Sequence, residues 1–262
     1  MLYFDANVFH YLRDALAGRK LPDDVRAKIL LSPISAIEVL SQLTVQQAEK
    51  VLESLHTMRT WLPERAGLLD WPDTFIAMAV FAIRLDDGFF DRMQKALNIC
   101  LVSDSVDALR EDAQRLKQLV DQVKDGKAKE RQQFLEKYRT RTFSLSELKA
   151  AFAQVATARA HAKPGQRSEE EIVGALSAHF EYENRILWKA AANKGYNFLS
   201  HKNDILDSEQ LVYLADPKLH FLTCDTGFRS VEDSEQKARI HVVKPDELTD
   251  AEKATAVLTR LG

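Results

Sequence analysis

Four acidic residues, Asp5, Glu38, Asp207 and Asp225, stand where alternating strands and helices can bring them together. Asp5 ends an apolar run, residues 2–4, and a helical stripe of Val8, Tyr11, Leu12, Ala15 and Leu16 follows at once. Glu38 falls in the first turn of a helix opened by Ser35, after a short strand at 29–31. Asp207 lies on a helix at 205–215 that leads into a buried strand at 220–224, and Asp225 directly follows that strand. In a parallel sheet, strand ends and the first turns of following helices gather on one edge. Four carboxylates there repel one another unless a cation is bound or some are protonated. No cluster of His or Cys accompanies them, so the ligands are all oxygen, which suits Mg²⁺ or Mn²⁺ and argues against zinc. A hard cation with open positions for water and phosphate oxygens is the apparatus of phosphodiester hydrolysis. Asp5 and Asp225 are expected to hold it, with help from Glu38 and Asp207.

Each acid also has a purely structural explanation. Glu38 stands three residues after Ser35, the spacing of a capping box. Asp204 and Asp207 could be N-terminal helix charges, and Asp225 a turn residue before Gly227. Asp5 could be a turn residue, and Asn7 could cap the first helix or support the site. The chemistry therefore rests on the four acids sharing an edge.

The elements that must position them divide the chain. Residues 1–58 and 196–262 carry the strands, including a last one at 239–243, and Pro245 opens a terminal helix. Residues 59–195 hold helical patterns with no convincing strand. Within them Val106, Leu109, Ala113, Leu116, Val120 and Val123 step by three and four, the seam of a packed helix. Capping-box spacing opens further helices at Thr44, Ser144 and Ser168, the last predicted to run unbroken to about residue 192. The expected fold is α/β, a small mostly parallel sheet with a large all-helical insertion.

At 262 residues the chain can bury a large core, and a formal net charge of −3 leaves any polyanionic partner to local basic patches or to metal. Two cysteines, Cys100 and Cys224, are too few for a disulfide framework and suggest a reducing, cytoplasmic setting. No signal peptide is expected ahead of the first strand. The most apolar run, 75–83, is far shorter than the roughly 20 residues a membrane span needs.

The segments Tyr3-Phe-Asp5-Ala-Asn7-Val-Phe, Ser35-Ala-Ile-Glu38-Val-Leu, Asp204-Ile-Leu-Asp207-Ser-Glu-Gln-Leu-Val-Tyr-Leu-Ala215 and Phe221-Leu-Thr-Cys-Asp225-Thr-Gly-Phe resemble the four acidic motifs of PIN-domain nucleases. The interval from Asp207 to Asp225 is similar to the family's spacing, which favours Asp207 over Asp204 as the third acid, with Asp204 a supporting or alternative ligand; Asn7 and Thr223 are further supporting residues. The resemblance implies an α/β/α sandwich on a parallel sheet and Mg²⁺- or Mn²⁺-dependent cleavage of RNA. It also implies a homodimer, and an antitoxin partner if the chain is the toxin of a toxin–antitoxin pair. A catalytically inactive PIN-like scaffold is the remaining alternative. The resemblance covers the two ends, and the long helical block departs from the compact toxins.

Two stretches could meet a nucleic acid. One runs from Lys124 through Lys127, Lys129, Arg131, Lys137 and Arg139 to Arg141, with Phe134 and Tyr138 interleaved. The other, Lys189, Lys194, His201 and Lys202, leads straight to Asp204 and is the better candidate. Glu183 interrupts the apolar stripe of its helix, one turn after His179. It is expected to be paired, with Arg185 or Lys189, to sit at the helix edge, or to face a site.

Overall fold

In the computed structural model, which describes residues 1–16, 19, 21–43, 47–61, 67–86 and 88–261, the first strand lies inside the sheet. This strand, β1 (Leu2–Phe4), is buried along its whole length, which explains a continuously apolar run rather than an alternating one. It pairs in parallel with β2 (Ile29–Leu30) on one side and β3 (His220–Thr223) on the other. β4 (Ile240–Val242) extends the sheet beyond β3, again in parallel, so the order is β2-β1-β3-β4. The expected parallel sheet is therefore present, and every pairing between its strands is parallel.

Parallel neighbours need crossovers, and helices supply them. α1 (Ala6–Leu16) and α2 (Asp23–Arg26) join β1 to β2. Between β2 and β3 run α3 (Pro33–Ser41), α4 (Ala48–Trp61), α5 (Pro72–Phe81), α6 (Gly88–Val102), α7 (Val106–Thr140), α8 (Leu145–Arg159), α9 (Glu169–Ala175), α10 (Ser177–Ala192) and α11 (Asn203–Gln210). A 3-10 turn, Leu211–Ala215, leads from α11 into β3, and α12 (Ala251–Leu261) closes the described chain.

Side chains of a strand alternate between faces, and the core divides accordingly. Leu2, Phe4 and Leu222 face a cluster built from α1, α3, α4, α6, the first half of α7 and α12. Tyr3 and Phe221 face the other cluster, built from α5, α8, α9, α10 and the 3-10 turn. The helical stretch thus covers both faces of the sheet. In α7 the expected seam is buried at Leu109, Ala113, Leu116 and Val120, and packs in the first cluster.

Several boundaries differ from expectation, each for a local reason. α3 begins at Pro33 with Ser32 as its cap, accepting from the Ile34 N–H at 3.2 Å. Ser35 is no cap: its hydroxyl donates to the Phe4 carbonyl at 2.6 Å. Glu38 consequently lies in the second turn, and the capping-box explanation for it falls. The capping boxes at Ser144 and Ser168 are formed, whereas the one expected at Thr44 involves 44–46, outside the described residues. The helix from Ser168 breaks at Leu176, where Gln236 inserts into the turn. Its Oε1 accepts from the Ala178 N–H at 3.0 Å, and its Nε2 donates to the Ala175 and Leu214 carbonyls. A residue 58 positions away cannot be read from helical periodicity. Tyr11, assigned to the packed stripe of α1, is exposed.

Charges are also buried. Lys127 Nζ lies 2.9 Å from Asp73 Oδ2 and 3.1 Å from Glu209 Oε2, and Arg159 Nε lies 2.8 Å from Asp73 Oδ1. Arg159 also pairs with Glu209, and Arg131 spans both oxygens of Glu183 while reaching Glu209 at 3.4 Å. Three cations meet three carboxylates here, so the group is neutral as a whole. Glu183 is thus paired, but with Arg131; Arg185 bonds Glu181 instead. Removing one member of such a group leaves a buried charge without compensation, at a cost of about 3–5 kcal/mol. Arg159→Met is therefore expected to lower the unfolding free energy in urea by about that amount, whereas Arg115→Ala, whose exposed guanidinium loses pairs with Glu111 and Asp112 on its own helix, changes it little. Equal stability of Arg159→Met and wild type would contradict this role.

Candidate active site

The strand order reverses at β1: the chain moves to β2 on one side and later to β3 on the other. In open parallel sheets a crevice opens beyond the carboxyl ends of the strands at such a point. Asp5 follows β1 there and Asp225 follows β3 by two residues, while α3 and α11 bring Glu38 and Asp207 to the same edge. All four line one cavity of about 240 Å³, together with Asn7, Ser41, Gln42, Lys124 and Gln210. That is room for several waters, at about 30 Å³ each.

Asp5 is only 6% exposed and firmly oriented. Its Oδ1 accepts from the Val8 N–H at 2.8 Å, and its Oδ2 accepts from the Thr223 hydroxyl. Asp5 therefore caps α1; Asn7 lies within the first turn, exposed, with its side chain at the cavity. Thr223 in turn accepts from the Asp225 N–H at 2.9 Å, so one hydroxyl ties the two strand-end acids together. Asp225 Oδ1 accepts from the Gly227 N–H at 2.7 Å. A Cβ at Gly227 would stand 3.1 Å from that oxygen, so glycine lets the turn close on the carboxylate. Asp204 is not among the cavity-lining residues and accepts from the Tyr196 hydroxyl.

The electrostatics are those of crowded acids. Burial pushes the Asp5 carboxyl up to about 6, against the opposing pull of the Thr223 hydroxyl and the Val8 N–H. Burial, then the charges of Asp207 and Asp5, pushes Glu38 up to about 8. Burial, then Asp225, Asp204 and Asp5, pushes Asp207 up to about 7. Lys124 at the cavity opposes the rise at both Glu38 and Asp207. The donors facing this space are oxygens of the kind that Mg²⁺ and Mn²⁺ prefer. Among the described residues, no group of three or more His, Cys, Asp or Glu side chains is drawn together tightly enough to hold a metal as it stands. The acids ring the cavity rather than meeting at a point.

The expected basic surfaces are largely consumed by other bonds. Lys127 and Arg131 belong to the buried ion group, and Arg139 donates to the carbonyls of Ala190, Asn193 and Tyr196. Arg141 pairs with Glu147 and lies over the Phe143 ring. In the second stretch Lys202 bonds Asp125 at 2.5 Å and the His201 ring stacks on Tyr196, while Lys189 and Lys194 are exposed. Lys124, assigned from sequence only to a basic run, instead enters the acidic cavity. Gln210 was not foreseen; its signal is a polar residue one helical turn after Asp207.

No protein-family model, curated protein or solved structure matches this chain significantly, so the site is read from its own geometry. Among the described residues no helix is long and apolar enough to cross a membrane.

A carboxyl whose folded pKa exceeds its unfolded value stabilises the fold fully at pH below the unfolded value and loses that contribution as pH rises through the folded one. Metal-free protein should accordingly lose stability between about pH 4.5 and pH 8 as Glu38, Asp207 and Asp5 ionise. Glu38→Gln is expected to raise the melting temperature at about pH 8.5 and to leave it nearly unchanged at about pH 4. A melting-temperature difference of the same size at both pH values would contradict the crowded-acid account.

Proposed function

We propose that this protein is a Mg²⁺- or Mn²⁺-dependent ribonuclease of the PIN-like type. The observation that carries the reading is that Asp5, Glu38, Asp207 and Asp225, from four separate elements, line one cavity at the reversal of strand order. Buried acids with raised pKa values and little cationic compensation mark functional sites more often than structural ones. The motif resemblance and the all-oxygen donor set point the same way.

Asp5 and Asp225 would hold the cation, with Glu38 and Asp207 completing the acidic wall. Such a cation, when bound, supplies an activated water and positive charge for the phosphate oxygens. Thr223 and the Val8 N–H fix the orientation of Asp5, and the Gly227 N–H fixes that of Asp225. Lys124 offers a positive charge to a backbone phosphate at the cavity. Hydrogen bonds to charged groups contribute about 1.5–3 kcal/mol, so loss of Lys124 would cost roughly tenfold to a hundredfold in rate.

Purified protein incubated with mixed RNA and Mn²⁺ is expected to cleave it. Asp5→Asn and Asp225→Asn should abolish cleavage with an unchanged circular dichroism spectrum, and Lys124→Gln should lower kcat/KM. The reading fails if wild type leaves RNA intact with both cations, or if either Asn variant retains full activity.

A further inference from the structure

Gln210 ends α11 and is 1% exposed, yet its Oε1 is buried without a hydrogen-bond partner. Buried polar atoms nearly always find one, so this exception calls for a cause. Gln210 is one of the residues that line the cavity of the four acids. The amide cannot simply be turned over to satisfy the oxygen. Ser35 Oγ donates its single proton to the Phe4 carbonyl at 2.6 Å and so can only accept from Gln210, whose Nε2 donates to it at 3.1 Å. Reversing the amide would set two oxygens against each other with no proton between them. Ser35 therefore fixes which end of the amide is held, and the oxygen is the end left over. Gln210 follows Asp207 by three residues, so the two lie on the same side of the helix.

We propose that Gln210 Oε1 is a neutral oxygen ligand for the divalent cation of this site, with Ser35 as the positioning residue that orients it. The inference rests on the metal-dependent reading above and adds to it a neutral ligand beside the four acids. Amide carbonyl oxygens are ordinary ligands for hard cations. An uncharged oxygen raises the number of donors without adding to the repulsion among four carboxylates. Oε1 can only accept, so its partner must be a cation or a proton donor.

The test is Mn²⁺ affinity of chelator-stripped full-length protein, read from the free-ion electron paramagnetic resonance signal and not from activity. Wild type is compared with Asp5→Asn, Gln210→Met, Gln210→Glu and Ser35→Ala. Both substitutions at Gln210 lose the donor to Ser35, but only Glu keeps an oxygen. Gln210→Met is expected to weaken Mn²⁺ binding by about tenfold to a hundredfold, the usual range for a supporting group at a metal site. Gln210→Glu should bind at least as tightly as wild type, and Ser35→Ala should weaken binding less than Gln210→Met does. Wild-type affinity in Gln210→Met, with binding lost in Asp5→Asn, would overturn this inference and leave the metal site standing. Equal weakening in the Met and Glu variants would also overturn it, since the lost Ser35 contact would then be responsible. Should Gln210→Met fail to fold by circular dichroism, weaker binding by Gln210→Glu or unchanged binding by Ser35→Ala overturns it instead. Wild type that ignores millimolar Mn²⁺ removes the metal-dependent reading and this inference together.

Discussion

Like charges placed together away from water are costly, and the fold answers that constraint in two opposite ways within one helix. On α11, Glu209 enters a neutral group with Arg159, Lys127 and Arg131. Burial alone would push its carboxyl up, but those cations outweigh burial and hold it well below the usual range. Two residues earlier Asp207 faces other acids and is pushed up to about 7 by burial and by them. Both side chains are largely enclosed, and the difference lies in their neighbours. Compensated acids brace a structure; acids left to repel one another wait for a positive partner.

The bracing group makes the second arrangement tolerable. Glu209 anchors α11 to α7 and α8 through Lys127 and Arg159, and Glu183 ties α10 to α7 through Arg131. On the neighbouring face of α11, the chain of bonds from Gln210 to Ser35 to the Phe4 carbonyl ties α11, α3 and β1 together. Those three elements carry Asp207, Glu38 and the approach to Asp5. The helical stretch between β2 and β3 is accordingly part of the site's support: α7 sends Lys127 and Arg131 into the ion group and Lys124 into the acidic cavity.

Strand ends and acids were legible in the sequence because both are local patterns. A continuous apolar run ending in Asp5, and another ending just before Asp225, define buried parallel strands with polar termini. The seam of α7 and the boxes at Ser144 and Ser168 were legible for the same reason. Long-range partners were not. Glu183 found Arg131 rather than a neighbour on its own helix, and Gln236 broke a helix that its periodicity would continue. Basic residues along α7 looked like a nucleic-acid surface because sequence shows charge but not what stands opposite it. The structure places Asp73, Glu183 and Glu209 there. Ser35 shows how a local rule can mislead: its spacing to Glu38 fits a capping box, but Ser32 caps the helix and frees Ser35 to bridge elements.

The central claim is that the acids around this cavity form a cation site. Anomalous scattering from a crystal soaked in Mn²⁺ tests it most directly. The account predicts a single strong cluster of density in the cavity between Asp5, Glu38, Asp207 and Asp225, in contact with oxygens of at least Asp5 and Asp225. Density confined to surface carboxylates, with the cavity empty at millimolar Mn²⁺ above pH 8, where Asp5, Glu38 and Asp207 are ionised, would contradict it.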